Sequence, residues 1–149
     1  MNLDTNVFLK LFLDESKSDI AQKLEDLANN DKVLLVISDW LINECMAVIE
    51  RKIIEKRMTN NEAFHILNAI TNLQEEKLKQ DQMELYSIEG KHIIASRVII
   101  QDINLINASD ALHIFIALLS ECNAILSADV FLTNALKKKI KVLHFTPII

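Results

Sequence analysis

Apolar and polar positions fall into two regimes along the chain. Short, dense apolar runs alternate with longer stretches in which apolar residues recur every three or four positions. The first regime suits strands buried on both faces and the second suits amphipathic helices. Met1-Asn2-Leu3 reads as a very short strand ending at Asp4. Val7 to Leu13 begins a helix, and Ser18 to Asn29 predicts another with Ile20, Leu24 and Leu27 on one face. Val33-Leu34-Leu35-Val36-Ile37 is continuously apolar and predicts a buried strand. Ser38 then N-caps a helix that turns Leu41, Cys45, Val48 and Ile49 inward and Glu50, Arg51 and Lys52 outward. Thr59-Asn60-Asn61-Glu62 has the form of a capping box, opening a helix with a buried stripe of Phe64, Leu67, Ile70 and Leu73. Met83 to Ile88 predicts a third strand, closed by Glu89-Gly90, and Ile93 to Ile103 a helix. Ser109 is expected to cap the next helix, which buries Leu112, Phe115, Ile116 and Leu119. Ala124 to Ser127 predicts a fourth strand, Val130 to Lys138 a helix, and Lys141 to Phe145 a fifth strand.

Strands separated by helices pair in parallel through right-handed crossovers, so the expected class is α/β. The 149 residues fit one domain, 1–149. Half of them are hydrophobic, enough for a core that needs no disulfide or structural metal. Cys45 and Cys122 lie far apart in apolar helical contexts, and His65, His92, His113 and His144 are scattered. That spacing does not make a zinc site; buried, inert thiols of a reducing cytosol are expected. No basic start leads into an apolar run, and no run reaches the ~20 residues that span a bilayer. The expectation is a cytoplasmic protein with no membrane contact.

A formal charge of −5 argues against a protein that holds nucleic acid only by a basic surface. A single glycine and a single proline exclude the Gly-rich phosphate loop and the dinucleotide fingerprint. Phosphate chemistry would need another device, and the acids supply one. Asp4 follows the first strand, Glu44 lies in the second turn of the helix after strand two, Asp110 opens a helix, and Asp129 follows strand four. Open parallel sheets bind ligands at the carboxyl ends of their strands, and all four acids reach that edge. Mg²⁺ and Mn²⁺ prefer such oxygen ligands, and without a cation the four would repel one another. Each acid also has a plainer role open to it. Asp110 complements a helix dipole, Asp129 is an N-cap, Asp4 a turn residue, and Glu44 a surface ion-pair partner.

Leu3-Asp4-Thr5-Asn6-Val7-Phe8-Leu9 resembles the opening motif of PIN-domain nucleases. Ser38-Asp39-Trp40-Leu41-Ile42-Asn43-Glu44, Asn107-Ala108-Ser109-Asp110-Ala111-Leu112-His113 and Leu126-Ser127-Ala128-Asp129-Val130-Phe131 resemble that family's later acidic motifs, in order and across nearly the whole chain. Size and form look most like the VapC-type toxin branch. The resemblance implies a three-layer α/β/α fold with a five-stranded parallel sheet, and a Mg²⁺- or Mn²⁺-dependent endoribonuclease. It implies that Asp4, Glu44, Asp110 and Asp129 carry the metal directly or through water. Asn6, Ser127 and Thr5 would orient carboxylates and water behind them. For toxin-type members it further implies a homodimer and a cognate antitoxin that blocks the groove.

The basic candidates for RNA contact are Lys137, Lys138, Lys139 and Lys141, with Lys10, Arg51 and Lys52 elsewhere; a solvated helix end explains the lysine run equally simply. His113, one turn beyond Asp110, is either a proton donor facing the site or a half-buried helix histidine. Trp40 either stacks on a base or packs in the core or a dimer interface. Two other functions stand against the nuclease. One is a non-catalytic PIN-fold module binding RNA or protein. The other is phosphoryl transfer with Asp4 as nucleophile, which in dehalogenase-like phosphatases uses Asp-x-Asp; here Asn6 stands at the second position.

Overall fold

In a computed structural model of the chain, the residues described are 1–13, 26, 30, 33–103, 106–127, 129 and 146–147. The helices expected at 18–29 and 130–138 and the strand at 141–145 lie outside them. Five strands form one sheet: β1 (Asn2–Leu3), β2 (Leu35–Ser38), β3 (Met83–Tyr86), β4 (Ile125–Ser127) and β5 (Thr146–Pro147). Their order is β3-β2-β1-β4-β5 and every pairing is parallel. The helices described are α1 (Thr5–Leu9), α2 (Asp39–Ile54), α3 (Asn60–Lys79), α4 (Gly90–Asp102) and α5 (Ala108–Leu119).

The pleat sorts the core into two halves. Leu3, Leu35, Ile37 and Leu126 turn to one side, where they pack with Val7 and Phe8 of α1, Leu41, Cys45 and Ile49 of α2, and Ala63 and Ile70 of α3. Val36 and Ile125 turn to the other, against Ile99 of α4 and Ala111, Ile114 and Ala117 of α5. The sheet is thus covered on both faces, the three-layer α/β/α arrangement that continuous apolar strands require.

Local signals placed several boundaries well. Ser38 caps α2 by accepting the Leu41 N–H at 3.2 Å. Thr59 and Glu62 close a capping box on α3, with the Thr59 N–H donating to Glu62 Oε2 at 2.7 Å. Elsewhere the structure departs from the pattern. The first helix begins at Thr5, not Val7, because Asp4 caps it by accepting the Asn6 N–H at 2.6 Å. Gly90 opens α4 instead of ending β3: the Glu89 N–H donates to His92 Nδ1 at 3.0 Å, so the first turn forms three residues early. On α3 the buried positions are Ala63, Ile70 and Lys77, and Phe64 is 60% exposed. The apolar band there is wide enough to be rotated, and the sheet side took the smaller Ala63. Lys77 buries its stem and donates from Nζ to Gln82 Oε1 at 3.1 Å. On α5, Leu119 is exposed, and Ala111, Ile114 and Ala117 are buried in its place.

The strand order sets the location of a site. Chain continuation from β1 leads to β2 on one side, while β4 lies on the other. At such a switch point the connections diverge, opening a crevice outside the carboxyl ends of the strands. Asp4 ends β1 and Ser127 ends β4, one on each side of it.

Candidate functional site

Asp4 is buried and fixed through both carboxylate oxygens. Oδ1 accepts the Asn6 N–H, and Oδ2 accepts the Ser127 hydroxyl. The same Ser127 oxygen accepts the Asp129 N–H at 2.9 Å. One serine at the end of β4 thereby ties Asp4 to the backbone that carries Asp129. Asn6 takes part through its backbone N–H, and its side chain is exposed.

Glu44 projects from α2 into a ring of donors. Thr5 at the start of α1 gives its hydroxyl to Oε2, and Ser109 in α5 gives its hydroxyl to Oε1. His113 Nε2 lies 2.7 Å from Oε2. Trp40 donates its indole N–H to the Ser109 oxygen at 2.8 Å, which leaves the Ser109 proton for Glu44. Burial alone would raise the Glu44 carboxyl. The hydrogen bond and positive charge of His113, with the hydroxyls of Ser109 and Thr5, outweigh it and hold Glu44 down to about 2. The pair joins a buried His113 to a half-buried Glu44, so a full complement of donors is what makes it tolerable.

Asp110 behaves oppositely. It sits in the first turn of α5, and Asn107, not Ser109, is the cap: Asn107 Oδ1 accepts the Asp110 N–H at 2.8 Å, and its Nδ2 donates to Asp110 Oδ2 at 2.6 Å. That shift of the cap by two residues frees Ser109 to reach Glu44. Burial pushes the Asp110 carboxyl up to about 6, and the negative charges of Asp129, Asp4 and Glu44 add to it, against the opposing pull of His113. Asp110 therefore feels all three other acids. Cys45 is inert for the same reasons: burial first, then Glu44 and Asp4, push its thiol up to about 12.

The carboxylates are the right donors for a hard divalent cation. Among the described residues, however, no three His, Cys, Asp or Glu side chains are gathered closely enough to hold a metal ion. Ser109 and Asn107 are residues that sequence reasoning missed as site members. The His113 alternatives merge, since it is buried and also faces Glu44. Trp40 is held by Ser109. Of the basic candidates, Lys10 ends α1 and Arg51 is exposed on α2. Lys137, Lys138, Lys139 and Lys141 lie outside the described residues.

The PIN domain model matches residues 2–131. The chain belongs to the PIN-domain family. PIN domains are generally nucleases that use divalent metal ions. This PIN domain also has the fold of a chain in the crystal structure of VapBC2 from Rickettsia felis bound to a DNA fragment from their promoter. The two share 15% identity at a TM-score of 0.64, over 97% of this chain and 96% of that one. No curated protein matches the sequence. No helix among the described residues of this PIN domain is long and apolar enough to cross a membrane.

Proposed function

We propose that this PIN domain is a Mg²⁺- or Mn²⁺-dependent endoribonuclease of the VapC type, the toxin of a toxin–antitoxin pair, working as a soluble cytoplasmic protein. The observation that carries the reading is the electrostatics of Asp110. Burial raises this carboxyl to about 6, and three acids drawn from remote parts of the chain, Asp129, Asp4 and Glu44, add to the rise at a switch-point crevice. That arrangement is costly by itself and is relieved by a cation.

Asp4, Glu44, Asp110 and Asp129 would hold the ion, directly or through water. When bound, a divalent cation supplies a water of lowered pKa and offsets charge on the phosphate and leaving oxygens. The rest is done by this chain's own groups. Ser127 fixes the Asp4 carboxylate and the Asp129 backbone together, so two acids move as one unit. Glu44 stays ionised across the working pH range, and its engaged oxygens favour a role behind a water. Asn107 fixes the rotamer of Asp110. RNA is the proposed substrate and an antitoxin the proposed partner, because the fold neighbour from Rickettsia felis is a VapBC2 complex.

The test is cleavage of RNA in Mn²⁺, with Asp110→Asn and Asp4→Asn as controls. Cleavage that stops in a chelator and in both variants supports the reading; intact activity in both refutes the site. One observation favours a second reading, a non-catalytic module for RNA or protein: the saturation of Glu44 by Thr5, Ser109 and His113. Metal binding with no turnover on any RNA would select it.

A further inference from the structure

We propose that Trp40 is the platform on which an unpaired base of the RNA stacks beside the scissile bond, so that the site takes single-stranded RNA and turns duplex away. The proposal rests on the nuclease reading for the nature of its substrate. Trp40 is the second residue of α2 and stands at the carboxyl edge of the sheet. Its indole N–H donates to Ser109 Oγ at 2.8 Å, and the Ser109 hydroxyl donates to Glu44. Two hydrogen bonds separate the ring from a site carboxylate, a reach of at most about 6 Å. That is comparable to the distance from a phosphate to the base of its own nucleotide.

The ring is both fixed and unclaimed. Its backbone is held on either side: Ser38 accepts the Leu41 N–H, and Asp39 accepts the Ser87 hydroxyl and the Ile88 N–H, each at 3.0 Å. The bond to Ser109 fixes the indole itself, so little freedom is lost when a base settles on it. Trp40 is half-buried, and among the described residues no other ring packs against it. Tyr86, which ends β3 in register with Ser38, is by contrast engaged edge-on with His92 at 5.7 Å. The chemistry then sets the selectivity. With its N–H given to Ser109, the indole has no donor left for a base edge. It reads the π-face instead, which every base has. Unpaired bases can be splayed out to offer that face, whereas a duplex keeps its bases stacked on one another. Stacking also suits an acidic chain. At a net charge of −5 the protein gains little from a general basic surface, and a stacked base adds affinity of another kind.

The experiment is filter binding of a short labelled RNA in Ca²⁺, a hard cation standing in for Mn²⁺, beside cleavage kinetics in Mn²⁺. Trp40→Phe and Trp40→Leu both lose the bond to Ser109, and only the first keeps a ring. Trp40→Leu should weaken single-strand binding and raise KM by about tenfold or more. Trp40→Phe should recover most of that loss at the same kcat as Trp40→Leu. Circular dichroism checks that both fold. The same RNA annealed to its complement should bind more weakly, and equally to the wild-type and Trp40→Leu chains. An iodouridine in the single strand should crosslink to Trp40 under ultraviolet light, read by mass spectrometry of the peptides. Equal losses in the two variants assign Trp40 to holding Ser109 and overturn the platform. So does single-strand binding unchanged in Trp40→Leu, or a duplex bound as tightly as the single strand. Cleavage that persists through those results leaves the nuclease reading standing without this one. Ring-dependent binding with no cleavage in Mn²⁺ keeps the platform and removes the nuclease reading.

Discussion

Glu44 and Asp110 carry the same chemical group at one crevice, yet one is held at about 2 and the other raised to about 6. The difference lies in their donors. Glu44 has a histidine and two hydroxyls, whereas Asp110 has one asparagine and three negative neighbours. Because Asp110 titrates higher in the folded chain than its ordinary 3.8, the stability linked to its proton is whole below about pH 4 and lost as pH rises through 6. At pH 7.5, in chelator, Asp110→Asn should therefore stabilise the protein by about 1 kcal/mol after allowance for solvent screening, read from urea unfolding. The same variant should lower RNA cleavage by about a hundredfold or more. A second residue is strained by chemistry of another kind. Asn2 is buried in the central strand, where its Nδ2 reaches Val36 O at only 3.4 Å and its Oδ1 has no partner. Asn2→Leu, close in shape and apolar, should raise stability by about 1 kcal/mol in the same unfolding assay.

At the scale of elements, what was legible was what is local. Ser38 and the Thr59–Glu62 pair announced α2 and α3 because a capping side chain bonds within three residues of itself. Glu89 and Ser109 misled for a matching reason. Which of several polar residues becomes the cap was decided by His92 in one case and by Asn107 in the other, and Ser109 was drawn away by a glutamate 65 positions distant. Phe64 looked like core because a wide apolar band does not state its own rotation; packing against the sheet does. The scarcity of glycine has a consequence at helix ends. Lys56, Asp81 and Glu121 adopt φ of 57°, 54° and 53° just after α2, α3 and α5. These left-handed positions suit glycine, and any other side chain pays about 1 kcal/mol or more there. Lys56→Gly should raise the midpoint of thermal unfolding by a few degrees, a shift that calorimetry would resolve.

At the scale of the molecule, the sequence pattern delivered the α/β class and the parallel sheet, because each rests on strand order and chain direction. What it could not deliver was the detailed closeness of the acids, since that depends on hydrogen bonds between segments more than a hundred residues apart, as from Ser127 to Asp4. If the cation is what brings them fully together, binding and folding are coupled. Mn²⁺ at a hundredfold its dissociation constant should stabilise the chain by about 2.7 kcal/mol, and Asp110→Asn should lose most of that gain. A melting temperature independent of Mn²⁺ would contradict a site built from these residues. The chain also carries a built-in optical reporter for that event. Trp40 is its only tryptophan, and its indole is joined through Ser109 to Glu44. Any ion that rearranges Glu44 will disturb the emission of a single fluorophore, so occupancy can be followed by light in unlabelled protein, with a Ser109→Ala chain as the disconnected control.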